Sequence, residues 1–245
     1  MTAPTLVFDL DGTLVDTAGD IIATLNTVMS GEGLKPLAPE IAITMVGHGS
    51  RVLLQSALKA NGVEPDSDRL DNLFALFLDI YSDHITDHSR AFPGAVAALD
   101  RFADAGWRLA VCTNKLEGLS RQLLGALGLL DRFVVVTGQD TFGVRKPDPR
   151  HLLETIRVAG GSADDAVMVG DSIVDVDTAK AAGVPVVAVA FGYSALPVET
   201  LGADRVIDHF DELFAAVREV RARRFLDFGS RTPLNLPTSA SEPGA

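Results

Sequence analysis

Short, unbroken apolar runs recur along this chain, and between most of them apolar residues return every three or four positions. The runs lie at Thr5–Phe8, Arg108–Cys112, residues 133–136, 166–169 and 185–190, with a weaker one at Arg205–Ile207. Runs this short and this continuous predict strands buried on both faces of a parallel sheet. Helical spacing fills the gaps at residues 94–105, 117–127, 149–159 and 173–182. Gly106, Gly128, Gly160 and Gly183 follow these stretches, where a chain leaving a helix often needs a left-handed residue. Strand and helix in alternation imply an α/β fold, a Rossmann-like parallel sheet with helices on both sides.

One stretch breaks the rhythm. Residues 17–89 carry helical spacing, at 21–29, 51–60 and 70–84, and offer no strand. The first strand is therefore parted from the second by an all-helical insertion. The expected organisation is a discontinuous core over residues 1–16 and 90–225 and a helical cap over 17–89. Residues 226–245, rich in Pro, Ser and Thr, are expected to form a flexible tail.

Composition narrows the function. Of 245 residues, 33 are acidic and 21 basic, a net charge of −12. Nucleic-acid binding needs a basic footprint and is not expected. An anionic small molecule is still admissible, because a few lysines, backbone N–H groups and a divalent metal dominate at close range. Cys112 is the only cysteine, so no intramolecular disulfide forms. Neither a basic-then-apolar leader nor an apolar run of membrane-spanning length is visible, and a cytoplasmic protein is expected.

Three polar stretches stand where predicted strands end, and a fourth stands just before a predicted helix. Asp9-Leu10-Asp11-Gly12-Thr13 follows the first strand. Two carboxylates so close repel and call for a cation, a shared proton or solvent, although Asp-Gly also reads as an ordinary solvated turn. Gly170-Asp171-Ser172-Ile173-Val174-Asp175 follows the fourth strand and opens a helix, with Asp175 one turn beyond Asp171. Its oxygen donors suit magnesium, and Ser172 or Asp171 also suits a helix cap. Cys112-Thr113-Asn114-Lys115 ends the second strand at a junction that suits an anion or, again, a cap. Arg145-Lys146-Pro147-Asp148-Pro149 holds a lysine just before a helix start, a point charge for a phosphate or for crowded carboxylates. Cys112 reads as a small buried hydrophobe.

In chain order the four stretches resemble the signature of the haloacid dehalogenase superfamily: a DxDxT strand end, a Ser/Thr, a Lys and a GDxxxD. The resemblance covers residues 5–225. Residues 8–17, Val46-Gly47-His48-Gly49, Phe92-Pro93-Gly94 and Thr113-Asn114-Lys115 are further similar to its phosphoglycolate phosphatases, which often carry His where this chain has Asp148. The resemblance implies a Mg2+-dependent phosphatase for a small phosphorylated acid, most simply 2-phosphoglycolate. Asp9 would be the nucleophile and Asp11 the acid–base. Thr113, Asn114 and Lys146 would hold the phosphoryl group. Asp9, Asp11 (through its carbonyl) and Asp171 would bind the metal, with Asp175 orienting them. His48 and Arg51 in the cap are the candidates for reading the leaving group. His84, His88, His151 and His209 are expected to be structural or exposed. A phosphosugar mutase, a metal-free dehalogenase and a catalytically idle binding protein share this fold, and the expected assembly is a monomer or homodimer.

Overall fold

The computed structural model describes residues 3–229, the side chains of His48 and of residues 225–229 excepted. Six parallel strands form the main sheet: β1 (Thr5–Phe8), β4 (Arg108–Cys112), β5 (Val135–Thr137), β6 (Ala166–Gly170), β7 (Val186–Val189) and β8 (Arg205–Ile207). Between β1 and β4 in sequence, a two-residue ribbon pairs β2 (Val15–Asp16) with β3 (Arg90–Ala91) antiparallel. Across the main sheet the order is β5-β4-β1-β6-β7-β8.

Side-chain alternation along each strand divides the core. Leu6, Phe8, Leu109, Val111, Val167 and Val169 face one side. They meet α5 (Ala95–Asp104), α6 (Glu117–Ala126) and α9 (Leu213–Gly229). Val7, Ala110, Cys112, Ala166 and Met168 face the other, under α7 (Pro149–Val158) and α8 (Ile173–Ala181). Both faces are therefore dry, which explains the unbroken apolar runs in the sequence.

Strand β5 begins two residues later than its apolar run. Phe133 closes a 3-10 turn, its N–H bonded to the Leu130 carbonyl. The strand then extends to Thr137, whose hydroxyl donates to the Val111 carbonyl. Helix α9 continues to Gly229, four residues into the stretch expected as tail, and residues 230–245 lie outside the described residues.

The insertion is helical: α1 (Ala18–Gly31), α2 (Pro39–Ile43), α3 (Ser50–Ala60) and α4 (Ser67–Asp83). Leu70, Leu73, Phe77 and Tyr81 line one face of α4 at spacings of three and four. They pack with Leu25 of α1 and Leu53 and Leu54 of α3 into the same apolar cluster that runs down to the sheet.

Candidate active site

The strand order reverses at β1. From there the chain builds outward through β4 and β5, then returns to lay β6 on the other side. A crevice opens above the carboxyl ends of the strands at such a switch point. Register sets what stands there. Phe8 is level with Val111 of β4 and with Val169 of β6. Asp9, Thr113 and Asp171 therefore leave the sheet side by side. All three are buried.

After Asp9 the chain must fold back at once. Leu10 accepts from the N–H groups of Thr13, Leu14 and Val15, which closes a tight loop. Gly12 sits at φ 81°, and a Cβ there would lie 2.6 Å from Asp171 Oδ2 and 2.8 Å from the Tyr193 ring. Both its backbone angle and its neighbours demand glycine. Gly170 is needed for space alone, since a Cβ would come within 2.4 Å of Asp175.

The four acids are divided among distinct partners. Lys146 Nζ lies 2.8 Å from Asp9 and 2.6 Å from Asp175. Lys115 Nζ lies 3.0 Å from Asp11, which also accepts from the Thr17 hydroxyl at 2.8 Å. Asp171 accepts from the Thr13 hydroxyl at 2.9 Å and the Tyr193 N–H at 2.7 Å. Asp175 uses its second oxygen for the Ser172 hydroxyl and the N–H groups of Asp171 and Ser172. That same contact forms the capping box of α8, so the cap and the site share one carboxylate. Asn114 turns its side chain to the backbone of Lys146, accepting from its N–H and donating to its carbonyl, and so fixes the lysine's place. This leaves the backbone amide of Asn114, rather than its side chain, to face an anion.

Electrostatics follow from burial. Desolvation pushes the Asp9 carboxyl up to about 6, with Lys146 opposing and Asp175 adding to the rise. Desolvation, then Asp175 and Asp9, push Asp171 up to about 8. Burial would lower the Lys146 ammonium, but Asp175 and Asp9 outweigh it and raise it. One oxygen each of Asp9, Asp171 and Asp175 lies within 4.8 Å of the others. Asp9 and Asp171, both reluctant to ionise and crowded by Asp175, form a donor pair that a hard divalent cation fits and relieves.

The model of the haloacid dehalogenase-like hydrolases matches residues 6–189. The chain belongs to that family. Among relatives, a phosphoglycolate phosphatase from Mesorhizobium japonicum is 50% identical over 219 residues, covering 89% of this chain and 96% of its own. Another, from Caulobacter vibrioides, is 45% identical, with 86% and 89% covered. The crystal structure of a predicted phosphoglycolate phosphatase from Haemophilus somnus superposes with a TM-score of 0.82 at 28% identity, covering 88% of this chain and 98% of that one.

The structure of this dehalogenase-like hydrolase brings Asp9, Asp11, Thr113, Asn114, Lys146, Asp171 and Asp175 to one crevice. It does not bring the Arg51 side chain there. Arg51 is ion-paired with Asp71 of α4, and its guanidinium lies 5.8 Å from the Phe74 ring. Of His48, only the backbone falls among the described residues, in the 3-10 turn Val46–His48. That turn does overlie the site: Val46, Gly47 and Gly49 line the crevice with Asp9, Asp11 and Thr113. Cys112 is fully buried and desolvation pushes its thiol up to about 12, so it is inert.

Sequence reasoning missed three participants. Lys115 stood inside the third motif, but nothing in one dimension pairs it with Asp11. Tyr81 reaches Lys115 from α4, its oxygen accepting from Nζ at 2.8 Å. Tyr193, beyond β7, anchors Asp171 and, through its hydroxyl, the start of α1: it accepts from the N–H groups of Thr17 and Ala18 and donates to Asp16.

Proposed function

We propose that this chain is a cytoplasmic, Mg2+-dependent phosphatase that hydrolyses 2-phosphoglycolate to glycolate and phosphate. The single observation that supports this most strongly is the division of two adjacent carboxylates between two lysines. Lys146 faces Asp9, which suits an ionised nucleophile. Asp11 stands apart, held by Lys115 and Thr17, where it suits proton transfer. The named activity of the relatives at 44–50% identity supports the substrate.

In this reading an Asp9 oxygen attacks phosphorus and the bond from phosphorus to the ester oxygen breaks. Asp11 acts as the general acid, passing a proton to the departing glycolate oxygen. Asp11, now a carboxylate, then takes a proton from a water as that water attacks the aspartyl-phosphate. The Asp9–phosphorus bond breaks, and phosphate leaves. Such proton transfer is worth roughly 10²–10⁴ in rate. Thr113, the Asn114 backbone amide and Lys146 hold the phosphoryl oxygens. Asp9, Asp171 and the Asp11 carbonyl would hold Mg2+, which when bound supplies charge neutralisation at the phosphoryl group. Asp175, with both oxygens already engaged, orients Asp171 and Lys146.

Specificity constants across a panel of small phosphate esters, with and without Mg2+, test the reading. Phosphoglycolate is expected among the best substrates, with a chelator abolishing turnover. Asp9→Asn is expected to lower kcat by at least about 10³ while the unfolding midpoint stays near that of the wild type. Magnesium-dependent turnover by that variant near the wild-type rate rejects the nucleophile; a poor rank for phosphoglycolate rejects the substrate alone.

A further inference from the structure

Among the described residues, the cleft above Asp9 is poor in cations. Its cap side presents Ile21, Val46, Gly47, Gly49, Ser50 and Leu53. Arg51 is engaged with Asp71, and Lys146 lies beneath, between Asp9 and Asp175. Lys115 is the cation that lines this cleft among the described residues. Its side chain is only 5% exposed.

A lysine ammonium carries three protons. One N–H lies against Asp11, whose two oxygens are 3.0 and 3.3 Å away. A second goes to the Tyr81 oxygen at 2.8 Å. One remains. The Tyr81 ring also sits beneath Nζ, 4.4 Å from its centroid, so the stem is held in place from the cap side.

We infer that Lys115, held in position by Tyr81, is the specificity residue that recognises a carboxylate on the leaving group. This rests on the phosphatase reading above and deepens it. Asp11 would touch the ester oxygen. In phosphoglycolate the carboxylate is one methylene from that oxygen, so a group bonded to Asp11 is also next to the carboxylate. A carboxylate entering a crevice walled by Ile21, Val46 and Leu53 loses its water and needs a charged partner. Lys115 provides one without moving away from Asp11. The contact joins core to cap, because Tyr81 belongs to α4 and Lys115 to the loop after β4. A cap seated on the core would thus complete the receptor, and an open one would dismantle it.

The test compares kcat/KM for 2-phosphoglycolate with that for ethyl phosphate, which has a methyl group where the carboxylate was. The ratio of the two isolates carboxylate recognition from effects on Asp11, which both substrates feel alike. Lys115→Met is expected to reduce the wild-type ratio at least about tenfold, and Tyr81→Phe about threefold, chiefly through KM for phosphoglycolate. Lys115→Arg is expected to restore part of the ratio. Should Lys115→Met not fold, Tyr81→Phe carries the test. A wild-type preference for phosphoglycolate that survives unchanged in the variants, even with both rates lowered, overturns this inference and leaves the phosphatase reading intact. No wild-type preference overturns the substrate reading and the receptor with it.

Discussion

Two lysines settle a problem that four buried acids create. Asp9, Asp11, Asp171 and Asp175 are all under 9% exposed, and without counter-charges burial at this density is prohibitive. Lys146 and Lys115 each stand between a carboxylate of the first loop and a second partner, Asp175 in one case and Tyr81 in the other. A third basic side chain nearby behaves differently. His151, at the first turn of α7, is fully buried, and neither ring nitrogen meets a hydrogen-bond partner among the described residues. Desolvation, reinforced by the Lys146 charge, holds its pKa down at about 4. The unfolded chain takes up that proton near pH 6.5, the folded one only near 4. Above pH 6.5 neither state is affected. Between 6.5 and 4 the unfolded state binds more protons, so stability falls as pH falls, by on the order of 3 kcal/mol in all. His151→Leu is expected to remove this component. Chemical denaturation at pH 7 and at pH 4 checks it: the variant should gain on the wild type by about that amount at the lower pH. An equal pH dependence in both proteins would show that His151 is not the group responsible.

Among the elements, the two crossings between core and cap matter most. The ribbon of β2 and β3 is two residues long and could not hold them alone. Asp20 of α1 does much of the fastening. Its carboxylate, 2% exposed, accepts from the N–H groups of His88 and Ser89 and from the Ser89 hydroxyl. The outgoing chain is thereby tied to the returning one. Tyr193 grips the same neck from the core, with its hydroxyl at the start of α1. Asp20→Ala strands three donors in a nearly dry place and is expected to destabilise the protein by roughly 3 kcal/mol. Asp20→Asn keeps one oxygen acceptor and should recover part of the loss. Thermal or urea unfolding measures both, and an unperturbed Asp20→Ala protein would show that the neck is held by packing alone.

At the scale of the whole molecule, the helical insertion lies close over the core. The crevice between it and Asp9 is partly open to solvent and has a cavity volume of about 10 Å³, room for about one water-sized molecule. On the phosphatase reading, the helical insertion is expected to lift from the core to admit substrate. Away from the neck, a polar contact crosses between the two. Ser82 of α4 donates its hydroxyl to the side chain of Gln122 on α6, and Gln122 donates back to the Ser82 carbonyl. Both residues can be reached by a reagent, and the one native thiol, Cys112, cannot. Joining the pair in S82C/Q122C with a short, cleavable thiol crosslinker is expected to suppress turnover by at least about tenfold, and cleavage of the linker to restore it. Full activity in the crosslinked protein would mean that substrate enters without the cap moving.

What the amino-acid sequence determined by itself was the part of the protein written in local order. Strands dry on both faces must be continuously apolar, so the sheet was legible, as was the helical insertion that interrupts it. Asp9, Asp11 and Asp171 were legible as candidates because they stand just past the ends of such strands, where the crevice of a parallel sheet lies, and Lys146 because it stands just before a helix start. Other features were decided only in three dimensions. A two-residue ribbon is too short to show a period, so β2 and β3 left no trace. The apolar run at 133–136 could not reveal that Phe133 is taken by a turn and that Thr137 completes β5. Arg51 appeared ready for the substrate, yet Asp71, twenty residues on, holds it. Asp9 and Asp11 differ in nothing but position along the chain, and the tertiary structure alone gives Lys146 to the first and Lys115 to the second. Ion pairs between residues a hundred positions apart carry no local pattern, because the distance that sets their energy exists only after the strands have aligned.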